Sequence, residues 1–133
     1  MPRSEIELAA AHRALDAILG RFLAAAGAGE LAAARAAMVE FDDMLRRHTA
    51  EEEERLLPPP PERKLIPPEE ETAEARLSRE LRLEHVQIRE VSGMMRRLVE
   101  ENGDLEGARR LFPNLARRWD AHTEKEEREL GRS

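Results

Sequence analysis

The sequence predicts an all-α protein, folded as an up-down-up-down antiparallel four-helix bundle. Ala, Leu, Glu and Arg dominate the 133 residues and β-branched residues are few, a composition that favours helix throughout. Breaks rich in Gly, Pro or Asn divide the chain into four segments, and each segment carries an apolar stripe at three- and four-residue steps. Because short turns join the first segment to the second and the third to the fourth, these neighbours should be antiparallel within a single domain, residues 1–133.

The breaks set the expected bounds of the helices. They are Gly27 to Gly29, the proline-rich stretch 58–68, and Asn102-Gly103. The four helices are expected at residues 4–26, 30–57, 69–102 and 104–130. Proline-rich segments are extended and stiff, so residues 58–68 are expected to form a rigid crossover between helices 2 and 3.

Several helix ends carry residues with capping or helix-breaking properties. Ser4 and Glu7 have the spacing of a capping box at the start of helix 1, and Asp104 can cap helix 4. Gly131 can end helix 4. Pro113 removes one helical donor and is expected to kink helix 4 or to split off its first turn.

The apolar stripes predict which residues are buried. They run through Leu8, His12, Leu15, Leu19, Phe22 and Ala26 in helix 1, and through Leu31, Ala34, Met38, Phe41, Leu45, His48, Glu52 and Leu56 in helix 2. They continue through Leu77, Leu81, His85, Ile88, Ser92, Met95 and Val99 in helix 3, and through Leu105, Ala108, Phe112, Leu115, Trp119, His122, Glu126 and Leu130 in helix 4. Met44 and Met94 are also expected in the core. Histidines and glutamates therefore stand inside otherwise apolar stripes.

Composition excludes several classes of function. The chain has no cysteine, which excludes disulfides, thiolate catalysis and cysteine-bound metal clusters. Its net charge of -6 comes with acidic and basic residues interleaved, so no nucleic-acid partner is expected. No segment approaches the roughly 20 apolar residues that span a bilayer, so no membrane association is expected and the protein is expected to be cytoplasmic.

The four histidines of the chain recur in an internal repeat. A shift of 74 residues places His48 and Glu52 on His122 and Glu126, and a shift of 73 places His12 on His85. Counting outward from the two short turns at about 1.5 Å per residue puts all four imidazoles at one depth in the bundle. In each HxxxE pair the two side chains point from the same helix face, with Cβ atoms about 5 to 6 Å apart.

This arrangement predicts a dinuclear metal site. Two buried carboxylates without partners would cost several kcal/mol, and a pair of cations bridged by both glutamates removes that cost. The predicted metal ligands are His12, His48, Glu52, His85, His122 and Glu126. Glu53 and Glu127 are expected on solvated faces. Asp16 and Arg89 could either orient the imidazoles four residues before them or lie on the surface.

The segments HRALD at 12–16, HTAEE at 48–52, EHVQIRE at 84–90 and HTEKEE at 122–127 resemble the hemerythrin-like, HHE cation-binding family. The resemblance covers nearly the whole chain. It implies a four-helix bundle with a carboxylate-bridged centre of two iron ions, held by the six residues named above.

The chain differs from the oxygen-carrying members of that family. They have a fifth histidine four residues after the helix 3 ligand, where this chain has Arg89, and an HxxxxD pair on helix 4. The pattern of four histidines and two glutamates is more similar to the hemerythrin-like domain of di-iron proteins that repair iron-sulfur clusters. The ExxH pairs of ferritin-like oxidases and the HExxH motif of zinc proteases do not occur.

The expected function is therefore binding or sensing of a small ligand such as dioxygen, nitric oxide or peroxide, or of iron status, at a di-iron centre. The alternative is a di-iron oxidoreductase or an iron-sulfur cluster repair factor in nitrosative or oxidative stress. A helical interaction module without metal is the third possibility.

Overall fold

The computed structural model describes residues 5–59 and 66–130. These residues form helices α1 (Glu5–Gly27), α2 (Leu31–Arg55), α3 (Ala73–Glu100) and α4 (Leu105–Glu129), with a 3₁₀ turn at Pro68–Glu70. No strand occurs in the described ranges. Helix α1 packs against α2 and α4, and α3 packs against the same two helices. The predicted all-α four-helix bundle is confirmed.

A glycine in the left-handed region makes each of the two short turns possible. Gly29 has φ +72° and Gly103 has φ +62°, a conformation that costs other residues free energy. At the first turn, the Glu30 amide donates to the Ala25 carbonyl and the Gly29 amide donates to the Ala26 carbonyl, which is the Schellman pattern. The chain therefore reverses within three residues after α1, and α2 returns antiparallel beside it.

The starts of α3 and α4 are fixed by side-chain caps. The Thr72 hydroxyl accepts from the Ala75 amide at 3.0 Å, and the Asp104 carboxylate accepts from the Gly107 amide at 2.8 Å. The predicted Asp104 cap is confirmed. The prediction that helix 3 starts at residue 69 is wrong, because the 3₁₀ turn precedes the Thr72 cap. Ser4 and Gly131, the other proposed helix-end residues, lie outside the described residues.

Helix α4 runs unbroken past Pro113. Of the two effects predicted for Pro113, the splitting of the first turn is therefore wrong, and the kink stays a prediction. Pro113 is exposed, so its ring projects away from the core and does not interrupt the packing of α4 against its neighbours.

The crossover from α2 to α3 is attached to α3 where it begins. Arg82 donates to the Pro58 and Glu53 carbonyls, at 3.0 and 3.2 Å, and Ser78 Oγ donates to the same Pro58 carbonyl at 3.0 Å. The bond to Glu53 satisfies a carbonyl in the last turn of α2 that has no partner within the helix, and the bonds to Pro58 hold the start of the crossover against α3. Most of the proline-rich stretch, residues 60–65, lies outside the described residues.

The core lies between the inner faces of all four helices. Its fully buried large side chains include Leu8, Leu15, Phe22, Met38, Phe41, Leu45, Leu81, Ile88, Met95, Leu115 and Trp119. The stripes therefore predict most of the core, although at the end of α2 the buried residue is Leu57 and not Leu56. The separate prediction that Met94 lies in the core is wrong, because Met94 is 45% exposed and faces outward. Among the described residues, no helix combines the length and the hydrophobicity that a membrane span requires.

One buried acid joins α2 to α3 away from the histidines. Asp42 is 2% exposed, accepts from Ser92 Oγ at 2.8 Å, and accepts from the Arg46 and Arg96 guanidiniums at 3.1 Å each. Burial raises the pKa of Asp42, but the hydrogen bonds from Ser92, Arg46 and Arg96 lower it by more. The net effect is a pKa below the usual value. A charged, fully partnered group in this place fixes the register of the two helices.

Replacing Phe41 with alanine tests the core. Phe41 is fully buried and meets the Trp119 ring edge-on at 6.0 Å between centroids. The free energy of unfolding, measured by urea denaturation, should fall by about 3–5 kcal/mol because the change leaves a cavity. The matched control is Leu23→Ala, at a side chain that is 46% exposed. This variant should change the free energy of unfolding by less than about 1 kcal/mol. A small loss in Phe41→Ala would contradict the packing described here.

Candidate metal centre

Six side chains from four helices meet in the interior of the bundle. They form two overlapping groups, the first with His12 and His48, the second with His85 and His122, and both with Glu52 and Glu126. Within each group one potential ligand atom per residue lies within 4.8 Å of the others. All six side chains are buried, at 5% exposure or less. The structure thus brings together every residue of the predicted site.

The Nε2 atoms of the four imidazoles point toward the two carboxylates. The distances to Glu126 oxygens are 2.9 Å from His12, 3.0 Å from His85 and 2.9 Å from His122. The distances to Glu52 oxygens are 3.1 Å from His48, 3.2 Å from His85 and 3.7 Å from His12. Each carboxylate therefore has imidazoles of both groups beside it.

Hydrogen bonds account for only some of these contacts, namely those of His12 and His85 with Glu126. Both oxygens of Glu52 and the Nε2 atom of His122 are buried without a well-formed hydrogen bond among the described residues. His122 Nε2 is only 2.9 Å from Glu126 Oε2, a distance that suits a hydrogen bond. The angle between the two groups therefore prevents a well-formed hydrogen bond. Buried polar atoms without hydrogen bonds are costly, and atoms that converge on a common point are arranged as ligands are.

A second set of carboxylates holds the imidazoles from the opposite side. The Nδ1 atoms of His12, His85 and His122 lie 2.8, 2.8 and 2.7 Å from oxygens of Glu127, Glu53 and Glu84 respectively. A carboxylate at Nδ1 keeps the proton on that nitrogen and leaves the Nε2 lone pair of a neutral imidazole directed inward. The prediction that Glu53 and Glu127 are simply solvated is wrong.

The outer carboxylates differ in the cations that accompany them. Glu53 is contacted by Arg82 at 3.2 Å and by Arg89 at 3.4 Å, and Glu84 is contacted by Lys125 at 3.1 Å. Glu127 has no cationic side chain other than His12 among the described residues, and its side chain is 39% exposed. The two halves of the centre therefore have unequal charge around them.

The structure decides the roles of Arg89 and Asp16. Arg89 donates to Thr49 Oγ1 at 2.9 Å and contacts Glu53, so it supports the carboxylate that holds His85 and does not touch the imidazole. Asp16 is exposed and accepts from Trp119 Nε1 at 2.6 Å. Neither residue contacts its histidine directly.

Trp119 forms the apolar wall of the centre. Its ring centroid lies 5.5 Å from that of His12, 6.5 Å from that of His48 and 6.3 Å from that of His122. The bond to Asp16 satisfies its indole N–H, which allows the ring to be 1% exposed without an unsatisfied donor. The indole thus separates the imidazoles from solvent and fixes their positions.

The buried imidazoles of His12 and His85 favour protonation in the metal-free protein. Burial lowers the pKa of His12, but contacts with Glu126, Glu52 and Glu127 outweigh it and raise the pKa to about 10. Burial likewise lowers the pKa of His85, and Glu126 and Glu52 raise it to about 10. Protons therefore balance the buried carboxylates when no metal is bound, and a metal ion must displace them.

The two central carboxylates remain ionised despite their burial. Burial raises the pKa of Glu52, but the neighbouring His12, His48 and His85 imidazoles lower it to about 2. Burial raises the pKa of Glu126 as well, and the imidazoles around it hold the pKa well below the usual value. The centre thus contains two buried negative charges that require positive charge beside them.

Comparison with known proteins agrees with this geometry. The family model described as the hemerythrin HHE cation binding domain matches residues 6–132. The chain belongs to this family. No curated protein and no solved structure matches it. Membership of the hemerythrin HHE family confirms the resemblance that the sequence motifs suggested and agrees with a cation-binding role for the buried histidines and glutamates.

Sequence periodicity missed three outer carboxylates, Glu53, Glu84 and Glu127. Each lies beside its helix's apolar stripe and reaches an imidazole on the neighbouring helix. A signal for two of them was present, because the shift of 74 residues places Glu53 on Glu127 as well as Glu52 on Glu126. No comparable repeat marks Glu84.

The stability of the metal-free protein should depend on pH in a defined way. The pKa of His12 and of His85 rises from 6.5 to about 10 on folding, so their contribution is complete below pH 6.5 and is lost as the pH rises through about 10. The pKa of Glu52 falls from 4.5 to about 2, so its contribution is complete above pH 4.5 and is lost as the pH falls through about 2.

The metal-free protein should therefore be most stable between about pH 4.5 and 6.5. Urea denaturation of chelator-treated protein at a series of pH values measures this. A free energy of unfolding that stays constant or increases from pH 6.5 to 10 would contradict the proposed protonation of the buried histidines.

Proposed function

We propose that the chain binds two iron ions between its four helices and, at that centre, binds or senses a small ligand such as dioxygen, nitric oxide or peroxide. The proposed ligands are His12, His48, Glu52, His85, His122 and Glu126. The observation that carries the proposal is that both four-residue groups share both glutamates. A carboxylate has two oxygens, so each glutamate can bridge two ions.

The chemistry of the donors favours iron. Imidazole nitrogen and carboxylate oxygen together suit a borderline first-row ion, and the chain offers no thiolate. Di-iron centres of other helical bundles also use glutamates and histidines that project inward from facing helices. Membership of the HHE cation-binding family adds independent support for a metal, though not for its identity.

Two bound irons would supply redox chemistry and open coordination positions, because two octahedral ions have more positions than six side chains fill. The protein holds the imidazoles in place through Glu53, Glu84 and Glu127, each bonded at an Nδ1 atom. It also keeps the centre dry, since the six side chains are almost fully buried beside Trp119. A small, uncharged molecule is the kind of ligand that such a site admits.

The surroundings of the centre favour binding over catalytic turnover. Each outer carboxylate contacts an imidazole, and the Asp16 carboxylate is bonded to Trp119. The hydroxyls of Thr49 and Thr123 donate to backbone carbonyls of their own helices. These groups are committed to holding other side chains or the helix, which supports a role as a carrier or sensor.

Metal titration of stripped protein tests the proposal. Trp119 is the only tryptophan, so its fluorescence should be quenched by ferrous or cobaltous ion, with an end point at two ions per chain. Glu52→Gln should weaken binding of both ions by more than about 100-fold. Loss of a residue that only supports a ligand weakens metal affinity by about 10–100-fold, so a larger loss indicates direct ligation. Glu54→Gln, an exposed neighbour, should bind as wild type does. One ion per chain, or equal losses in the two variants, would refute a shared bridging glutamate.

A variant of an outer carboxylate tests how the imidazoles are held. Glu127→Gln should weaken metal binding by about 10–100-fold, because the neutral amide no longer favours the inward-directed lone pair of His12. Glu124→Gln, at an exposed position of the same helix, is the control. Circular dichroism should show the same helix content in both proteins. If their metal affinities are equal, the contact between Glu127 and His12 has no role in ligation.

A further inference from the structure

A basic groove lies on the outer surface between α2 and α3. It has a volume of about 490 Å³ and is lined by Arg46, Val86, Arg89, Glu90, Gly93, Met94 and Arg97. Three guanidiniums and one carboxylate thus line one surface of a chain whose net charge is -6. No ion pair joins Glu90 to the groove's arginines among the described residues. Three guanidiniums therefore share this lining with one carboxylate, and Arg46 and Arg89 are also paired with Asp42 and Glu53 beside it.

Two of the guanidiniums converge over a residue that has no side chain. A Cβ atom added to Gly93 would lie 3.4 Å from the terminal nitrogen Nη2 of Arg46 and 3.6 Å from Nη1 of Arg97. Both cationic nitrogens therefore approach the same point above the α3 backbone. An anion bound at that point would be attracted by both guanidinium charges and could accept hydrogen bonds from both.

Guanidinium N–H donors that point into the groove make no hydrogen bond to other described residues. Arg46 bonds Asp42 through its Nε atom only, which leaves Nη2 over Gly93. Arg97 has no ion pair or side-chain hydrogen bond to any other described residue. Arg89 uses Nη1 for Thr49 and Glu53. Guanidinium groups with free N–H donors are suited to bidentate binding of phosphate or carboxylate.

The rim of the groove is apolar. Val86 is 42% exposed and Met94 is 45% exposed, although both are large hydrophobic residues. They lie on the same lining as the guanidiniums. The volume of the groove is in the range of small-molecule sites, which is larger than a simple inorganic anion requires.

We propose that this groove binds a small amphipathic anion, whose phosphate or carboxylate group lies between Arg46 and Arg97 over Gly93 and whose apolar part contacts Val86 and Met94. This site is separate from the metal centre and does not depend on a bound metal. Arg89 connects the two regions, because it lines the groove and also contacts Glu53, the carboxylate that holds His85.

Nuclear magnetic resonance titration of the metal-free full chain at constant ionic strength tests the proposal. The probes are octyl phosphate and octanoate, with inorganic phosphate and acetate as head groups alone. The Gly93 amide signal should shift and saturate with a Kd on the order of 1 mM or tighter for an octyl probe. The head groups alone should bind at least about 10-fold more weakly, since they lack the apolar contact. The octyl probe with the lower Kd identifies the preferred anionic group, phosphate or carboxylate.

Arg97→Ala separates binding from folding. Arg97 has no partner among the described side chains and contributes only a charge in the last turn of α3, so its loss should lower the thermal midpoint by no more than a few degrees. It should weaken octyl phosphate and octanoate binding by about 10-fold or more. Arg110→Ala, at an exposed arginine of α4, removes the same charge and should bind as wild type does. Equal weakening in both variants would mean that only net charge matters and would overturn the site.

Gly93→Ala provides an independent test. Alanine favours helix more than glycine does, and its Cβ would be at ordinary contact distance from the two guanidiniums, so stability should be maintained or increased. Anion binding should weaken several-fold because the methyl group occupies the floor of the groove. Unchanged affinity in Gly93→Ala, no saturation of the wild type, or equal affinity for octyl probes and head groups would each overturn the proposal. So would a change of sedimentation in Arg97→Ala, which would indicate that a second copy of the chain covers the groove.

Discussion

Two ionised carboxylates enclosed in the core of the bundle are the constraint on which the rest of this structure depends. Glu52 and Glu126 have no measurable exposure, so their charge must be balanced by groups within the protein. Without metal, the protonated imidazoles of His12 and His85 supply that balance, and a metal ion held by one histidine from each helix would supply it instead. The helices therefore cannot slide or rotate independently, because each helix contributes at least one side chain to the same small cluster.

The second layer of contacts shows how the cluster is kept in order. In the internal repeat, Glu53 with His85 corresponds to Glu127 with His12, so the two halves of the chain use the same device across different helix pairs. The correspondence is incomplete. Glu53 is contacted by two arginines, whereas Glu127 meets solvent, and the position equivalent to Glu84 is occupied by Ala11. The bundle is thus nearly symmetric in its central ligands and asymmetric in the charges outside them.

The sequence was sufficient to predict the fold and the central six residues because both follow from helical geometry. A fixed rise per residue sets the depth of His48 and His122, and the apolar stripe sets the face from which they point. Glu53 was not predictable in this way, since the residue after Glu52 is turned by about 100° and projects beside the stripe. Its partner, His85, is on another helix, and periodicity within one helix carries no information about such contacts. Met94 shows the opposite error. It is hydrophobic and is expected in the core from the sequence, but it is adjacent to the buried Met95 on the helix and is itself 45% exposed.

X-ray diffraction from crystals of iron-loaded protein, measured on both sides of the iron absorption edge, tests the central claim most directly. Two anomalous peaks about 3.5 to 4 Å apart, each beside both Glu52 and Glu126, are the predicted result. A single peak, or iron only on the outer faces of the helices with the imidazoles still paired to the carboxylates, would contradict a centre of two ions in the core.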